Sequence, residues 1–283
     1  MAAVLLALSS AVFFGALAVA IRLATRRGAD PETGALATTA IALVACGSAA
    51  LVLGGGTDDV WPFLLAGLIA PGASQILFFR AVRDIGPART TVLIGSAPVV
   101  AGLIAIVVLD EPLRAALVIA TVLIVSGGIA LAGERVRPES FRRIGVLLAL
   151  AATALFAIRD NVIRELQVGS DVEPLAAAAA TLVGGGAVVL AYLLLTRRRR
   201  LLRSTAVGIW LPSGVLFAAS YAALFEAYDR GRVTVVSPLV ATESLWGVVF
   251  AALILRRSEL IGRRLVIGAV LIVAGSALIG ATR

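Results

Sequence analysis

The chain has 283 residues, of which 60% are hydrophobic and 15% charged, with a formal net charge of +8 and a mean hydropathy of +1.03. Soluble domains carry about 25% charged and about 45–50% apolar residues, so a water-soluble globular protein is excluded. All 25 basic residues are Arg, Lys and His are absent, and Cys46 is the one thiol; Schiff-base lysines, His relays, His-ligated metals and internal disulfides are thereby removed.

Divided at its charged residues, the chain gives ten apolar stretches: 4–21, 33–57, 60–79, 90–109, 115–133, 144–158, 174–196, 204–225, 233–255 and 265–282. All but 144–158 reach the roughly 18 residues that a membrane-spanning helix needs. The sequence therefore predicts an all-α integral membrane protein with ten transmembrane helices. The first stretch lacks a basic n-region and is followed by Arg22, Arg26 and Arg27, so a retained helix is expected rather than a cleaved signal peptide. The longest connection, 159–173, has 15 residues and is too short to hold a catalytic domain.

The chain also repeats itself. Val4 to Leu8, Phe14 and Ile21-Arg22 recur as Val146 to Leu150, Phe156 and Ile163-Arg164, at a constant offset of 142. Farther on, Phe79-Arg80-Ala81-Val82 pairs with Phe225-Glu226-Ala227-Tyr228, and Val122 to Gly127 pairs with Val270 to Gly275. Two halves of five helices follow, 3–133 and 144–282. Five is odd, so the second half enters the membrane in the opposite sense. Loop charges agree: connection 58–59 is Asp58-Asp59, whereas its counterpart 197–203 carries five Arg. Nineteen of the 25 Arg follow stretches one, three, five, seven and nine. The positive-inside rule makes those loops cytoplasmic and both termini extracytoplasmic, in a cell membrane. The charge of +8 is thus a topology signal, and no nucleic-acid partner is expected.

Charge inside the stretches points to chemistry. Glu243 alone interrupts one, near the middle of 233–255. An intramembrane carboxylate is costly and asks for a partner or a wet cavity. One reading has it bind a coupling proton or a substrate amine; the other has it cap backbone freed by Pro238 or pair with an Arg from a loop. Trp246, Gly247 and Phe250 follow at helical spacing, predicting an aromatic wall on the same face. Arg159, Asp160 and Asn161 match Leu17 to Val19 of the first half, so they are expected inside the sixth helix. There Asp160 can pair with Arg164 four residues on, and Arg159 can grip a substrate carboxylate with its fork; an interfacial collar of charge is the alternative. Arg80 and Glu226 occupy matching positions with opposite sign, one toward each side of the membrane, as gate charges or as plain interfacial residues. Pro71, Pro98, Pro212 and Pro238 break backbone bonding and mark hinges. Glu111 and Glu259 begin the last helix of each half, a structural position.

The run Phe79-Arg80-Ala81-Val82, Gly86-Pro87-Ala88, Pro98, Leu109-Asp110-Glu111-Pro112-Leu113 and Leu123-Ile124-Val125-Ser126-Gly127-Gly128 resembles the repeat of the EamA-type branch of the drug/metabolite transporter superfamily. Phe225 to Arg232, Ala241 to Leu245 and Leu271 to Gly275 resemble it again. The resemblance implies a 5+5 inverted-topology carrier with a central cavity, moving small metabolites or drugs, often outward. By that analogy Gln75, Phe78, Ser96 and the stripe Phe217, Tyr221, Phe225 are cavity candidates. Three features depart from the pattern. The family is usually described with cytoplasmic termini, opposite to the Arg distribution here. Ser244 stands where the second half would match Pro98, and two extra residues precede Glu259. Related small multidrug resistance proteins hold cations and protons on a Glu of their first helix, whereas Ser9 to Phe14 contain no acid.

The expected function is secondary transport by alternating access, exporting small metabolites such as amino acids, with Glu243 coupled to protons. The runner-up is a multidrug or aromatic-cation efflux pump, favoured by Glu243 with Trp246 and Tyr221; a lipid-linked flippase comes third. No enzyme activity, cofactor or metal is expected. The implied partners are a small-molecule substrate, protons and the bilayer, and a monomer suffices because two fused halves supply the pseudo-symmetry.

Overall fold

A computed structural model describes residues 1–53, 59–97, 99–100, 115–132, 141–196, 207–231, 233–255 and 262–282, and these contain helices and turns but no strand. The helices are α1 (Ala2–Arg26), α2 (Pro31–Val52), α3 (Trp61–Gly67), α4 (Ser74–Ile85), α5 (Pro87–Ile94), α6 (Ala115–Ala132), α7 (Ile144–Val168), α8 (Pro174–Leu195), α9 (Leu211–Arg230), α10 (Val233–Val240), α11 (Glu243–Phe250) and α12 (Arg263–Thr282). Seven helical segments are long and apolar enough to cross a membrane: Ala2–Arg26, Pro31–Val52, Trp61–Ile85, Ile144–Val168, Pro174–Leu195, Val207–Arg230 and Val235–Leu255. Leu51, Val52, Ile129, Leu147, Leu195 and Leu253 are exposed on the outside. A surface of that kind has lipid as its solvent.

Local chemistry sets the ends. Asp30 accepts from the backbone N–H groups of Glu32 and Thr33 at 3.1 and 3.0 Å, with Pro31 as the first residue of α2, an N-cap followed by a proline that has no N–H to lose. Gly86, at φ +86°, turns the chain from α4 into α5, a backbone angle that L side chains avoid. A π-helical turn, Leu68–Ala73, joins α3 to α4, with Ala70 extended before Pro71, which kinks the segment.

Several helices outrun the expected stretches. α1 continues to Arg26, α4 to Ile85 and α7 to Val168, so connection 159–173 shrinks to 169–173. Arg22, Arg80, Arg83, Asp84 and Arg89 therefore sit in helices, contrary to their placing in the connections, whereas Arg159 and Asp160 lie inside the helix that the repeat predicts for them. Charged residues mark the end of an apolar run, but the hydrogen-bond ladder continues through them when their side chains find partners.

The helices pack by close approach at small residues, the usual device within membranes. A Cβ on Gly67 would strike the Thr181 carbonyl, and one on Gly184 the Leu64 carbonyl, so α3 and α8 touch backbone to backbone. Likewise, a Cβ on Gly127 would come within 2.8 Å of the Gly268 carbonyl, and one on Gly275 within 2.8 Å of the Ala120 carbonyl, where α6 lies along α12. The remaining main neighbours are α1 with α9, α4 with α7, α2 with both α8 and α9, and α11 with both α1 and α5.

At one end of the bundle, polar groups tie these helices together. The Arg22 guanidinium donates to the Arg83 carbonyl at 2.6 Å, Arg83 pairs with Asp84 at 2.7 Å, and the Asp84 carbonyl accepts from the Arg142 N–H at 2.9 Å. Arg80 lies 3.4 Å from Glu32, toward which Tyr192 also points its hydroxyl at 3.5 Å. This end is sealed. At the other end a cavity of about 620 Å³ opens beside Trp61, Phe63 and residues 169–173.

Candidate functional site

Two helices are interrupted at the level of the core. α10 contains Pro238, which lacks an N–H and crowds the carbonyl four residues back. Three residues later the chain leaves the helix at Ala241-Thr242 and restarts as α11 on Glu243. Thr242 donates to the Leu239 carbonyl at 2.6 Å and Ser244 to the Ala241 carbonyl at 2.9 Å, so hydroxyls stitch the freed backbone. The same occurs after α5, at Gly95-Ser96. Ser96 donates to the Leu93 carbonyl at 2.5 Å, and Ser276 donates to the Gly95 carbonyl at 3.2 Å. The two breaks meet: a Cβ on Gly95 would lie 2.9 Å from that of Ser244.

Glu243, 5% exposed, opens the first turn of α11, where free N–H groups and the helix dipole favour negative charge. Across from it stands α7. Arg159, 3% exposed, donates to one Asp160 carboxylate oxygen from Nε at 2.9 Å and from Nη2 at 2.6 Å, and to the Tyr221 hydroxyl from Nη1 at 2.7 Å. Its guanidinium lies 5.0 Å from the Phe156 ring centre and 5.4 Å from that of Tyr221, within cation–π range of both. Glu243, Arg159 and Asp160 face one small cavity of about 30 Å³, closed by Phe14, Phe156, Ile94 and Ala97 and by Ser237 and Ala241 of the break. That is room for about one water. The cavity has one guanidinium and two carboxylates on its wall, so a cationic group or a proton is the occupant it favours.

Aromatic rings back this cavity. Phe14 is the hub, with ring centres 6.4 Å from Phe78, 6.3 Å from Phe156, 6.1 Å from Phe217 and 6.4 Å from Tyr221. Phe217, Tyr221 and Phe225 recur every fourth residue of α9, in contact at 4.3 and 5.6 Å. The edge-to-face pairs of Phe14 with Phe78, Phe156 and Phe217 contribute about 0.5–1.5 kcal/mol each beyond their burial, which fixes the wall.

The structure thus brings together Glu243, Arg159, Asp160 and Tyr221, with Phe78 one ring behind. Ser96 lies in the α5 break beside Ala97 of the cavity wall. Gln75 is fully buried one turn from Phe78, with neither amide atom hydrogen-bonded, but it does not line the cavity. Asn161 is exposed and donates to the Ala157 carbonyl at 2.8 Å, away from the site. Trp246 is corrected: it is 36% exposed and stacks on Phe250, 5.8 Å between centres. Gly15 of α1 presses so closely on the Trp246 backbone, 2.7 Å from Cβ to Cβ were it alanine, that the indole stays outside. Asp160 pairs with Arg159 and not with Arg164, whose guanidinium donates to the Tyr228 carbonyl at 2.8 Å. Arg80 and Glu226 do not meet; Arg80 faces Glu32, and Glu226 pairs with Arg230 one turn on. Pro98 lies outside the described residues, as do Glu111 and Glu259. Sequence reasoning misses Phe14 and Phe156 as site residues, although their match at offset 142 is the available signal.

Three comparisons bear on this arrangement. A model of the EamA-like transporter family matches residues 1–132 and again 143–281. An uncharacterized transporter of Bacillus subtilis (strain 168), YwfM, is 41% identical over 101 residues, a region spanning 34% of this chain and 33% of that relative. A solved crystal structure, described only as that of a protein, superposes with a TM-score of 0.69 at 19% identity, covering 99% of this chain and 96% of the other; it shows a shared fold. With the family model covering residues 1–132 and 143–281 of an apolar helical bundle built around a buried polar site, the chain belongs to the EamA-like transporter family.

Proposed function

We propose that the chain is a secondary-active exporter of small aminated metabolites such as amino acids, working by alternating access, with Glu243 as the proton-coupling carboxylate. The observation that carries this reading is the placing of the Arg159 fork and the Glu243 carboxylate on one buried cavity between two broken helices. Arg159 matches a substrate carboxylate, which would exchange for Asp160; Asp160 or Glu243 then takes the amine. Broken helices at the midplane are where carriers of this general design bind cargo. The proposed halves, 3–133 and 144–282, are a 5+5 inverted repeat. Support comes from packing that is its own mirror: α1 on α9 answers α7 on α4, while α2 on α8 and α6 on α12 each pair equivalent helices. The Arg-rich loops face the cytoplasm and both termini face outward, in the cell membrane, and one chain suffices.

Two carboxylates against one guanidinium, backed by aromatic rings, favour a second reading, the efflux of aromatic cations. Uptake into proteoliposomes of labelled amino acids and of aromatic cations, with and without a pH gradient, separates the two. Glu243→Gln is expected to abolish stimulation by the gradient while leaving exchange of substrate intact. Unchanged rate and unchanged pH dependence in that variant would overturn the coupling role.

A further inference from the structure

Two buried polar side chains stand apart from the substrate cavity and lack partners among the described residues. Tyr228, near the end of α9, is fully buried and its hydroxyl makes no hydrogen bond of ordinary geometry, although Asp160 faces it and Arg159 and Glu243 lie within electrostatic reach. Gln167, 5% exposed, has both amide atoms unpartnered. On a helix of 3.6 residues per turn, Gln167 returns to the face of Asp160, seven residues earlier, about 10 Å farther along. Between them Arg164 donates to the Tyr228 carbonyl, tying this length of α7 to the end of α9. Just past Gln167 the helix ends, and Leu166, Gly169 and Ser170 line the 620 Å³ cavity, with Asp59, Glu165, Asp171 and Glu173 around them. Buried polar groups are satisfied by protein or by ordered water, and inside a membrane they mark ion and proton paths.

We propose that Tyr228 and Gln167 form a hydrated track that carries protons between the acidic mouth cavity and the carboxylates Asp160 and Glu243. The proposal rests on the reading of Glu243 as the coupling group. Acidic residues at the mouth raise the local concentration of cations. Water held by the Gln167 amide passes a proton inward; the Tyr228 hydroxyl accepts it and releases its own to Asp160, and cavity water hands it to Glu243. Only O–H bonds are made and broken. Other charged groups near the track are engaged elsewhere: Arg159 with Asp160 and Tyr221, Arg164 with the Tyr228 carbonyl, and Glu226 with Arg230.

The test is the charge transient that follows a pH step on proteoliposomes adsorbed to a solid-supported membrane, a readout that needs no substrate. Wild type gives a transient, Glu243→Gln gives none, and Gln167→Leu and Tyr228→Phe keep its amplitude but slow it about tenfold, the effect of a modest added barrier at one transfer step. Gln167→Ser, which leaves a polar group and space for water, recovers the wild-type rate. Wild-type speed in Gln167→Leu and Tyr228→Phe, with no transient in Glu243→Gln, overturns the track and leaves the coupling role standing. Slowness in Gln167→Ser equal to that of Gln167→Leu also overturns it, by showing a structural role. A transient that survives Glu243→Gln, or is absent from wild type, overturns the coupling role itself.

Discussion

Arg159 is held on four sides, by Asp160, by the Tyr221 hydroxyl and by the faces of Phe156 and Tyr221. A planar fork fits that setting and an ammonium does not. Arg159→Lys is therefore expected to raise the KM for carboxylate-bearing cargo about 30-fold, equivalent to ~2 kcal/mol, while cargo lacking a carboxylate is affected less; proteoliposome uptake of the two classes measures the difference, and an equal effect on both would remove Arg159 from carboxylate recognition. Glu243, Arg159 and Asp160 were legible in the sequence because ionisable groups in apolar surroundings stand out, whatever the fold. Trp246 was not, since helical spacing says which residues share a face but not which face looks inward; the crossing of α1 at Gly15 decided that. Phe14 and Phe156 escaped because a Phe in an apolar run carries no mark of its own.

At the scale of helices, seven of the ten apolar runs coincide with membrane-length helices among the described residues, and charge misplaced their ends. The breaks after α5 and α10 were foreshadowed by Pro98 and Pro238, yet their meeting at Gly95 and Ser244 depends on tertiary packing that no local pattern contains. Small residues signalled close approach but not the partner. The structure supplies it: Gly67 and Gly184 set α3 against α8, each facing a carbonyl of the other helix. Gly67→Val is expected to cost about 1–3 kcal/mol through overpacking, seen as a lowered thermal unfolding temperature in detergent. Gly47, where an added Cβ would meet nothing within 4 Å, supplies the control, because Gly47→Ala should leave that temperature unchanged or raise it; equal losses in both would mean that α3 and α8 are not in tight contact.

For the molecule as a whole, the two ends differ in kind. Where α1 and α4 end and α7 begins, hydrogen bonds from Arg22 and from the Arg142 N–H to carbonyls of α4, beside the half-buried Arg83–Asp84 pair, lock the helices together; at the opposite end lies the large acidic cavity. In the proposed orientation the locked end faces the cytoplasm. Cysteine introduced as Ala2→Cys is expected to react with a membrane-impermeant maleimide in intact cells, and Arg200→Cys only after lysis; native Cys46 is 3% exposed and donates to the Ala218 carbonyl at 3.6 Å, so its background is low. The reverse pattern would invert the topology while leaving the fold untouched. That the chain is an all-helical, multi-pass membrane protein was the most legible level, because hydropathy reports the solvent directly, whereas the lock was invisible: Arg22 and Arg83 are 61 residues apart and meet only once the helices are placed.

The three tryptophans sample three different surroundings. Trp61 is 63% exposed beside the acidic cavity, Trp246 is 36% exposed on the outer surface, and Trp210 is 1% exposed. Trp210 lies against Gly34 at the locked end, its ring 5.7 Å from that of Phe79. Indole emission shifts with the polarity around the ring, so a chain retaining Trp210 alone carries an optical indicator at the tied end of the bundle, dark to events at the mouth and in the lipid.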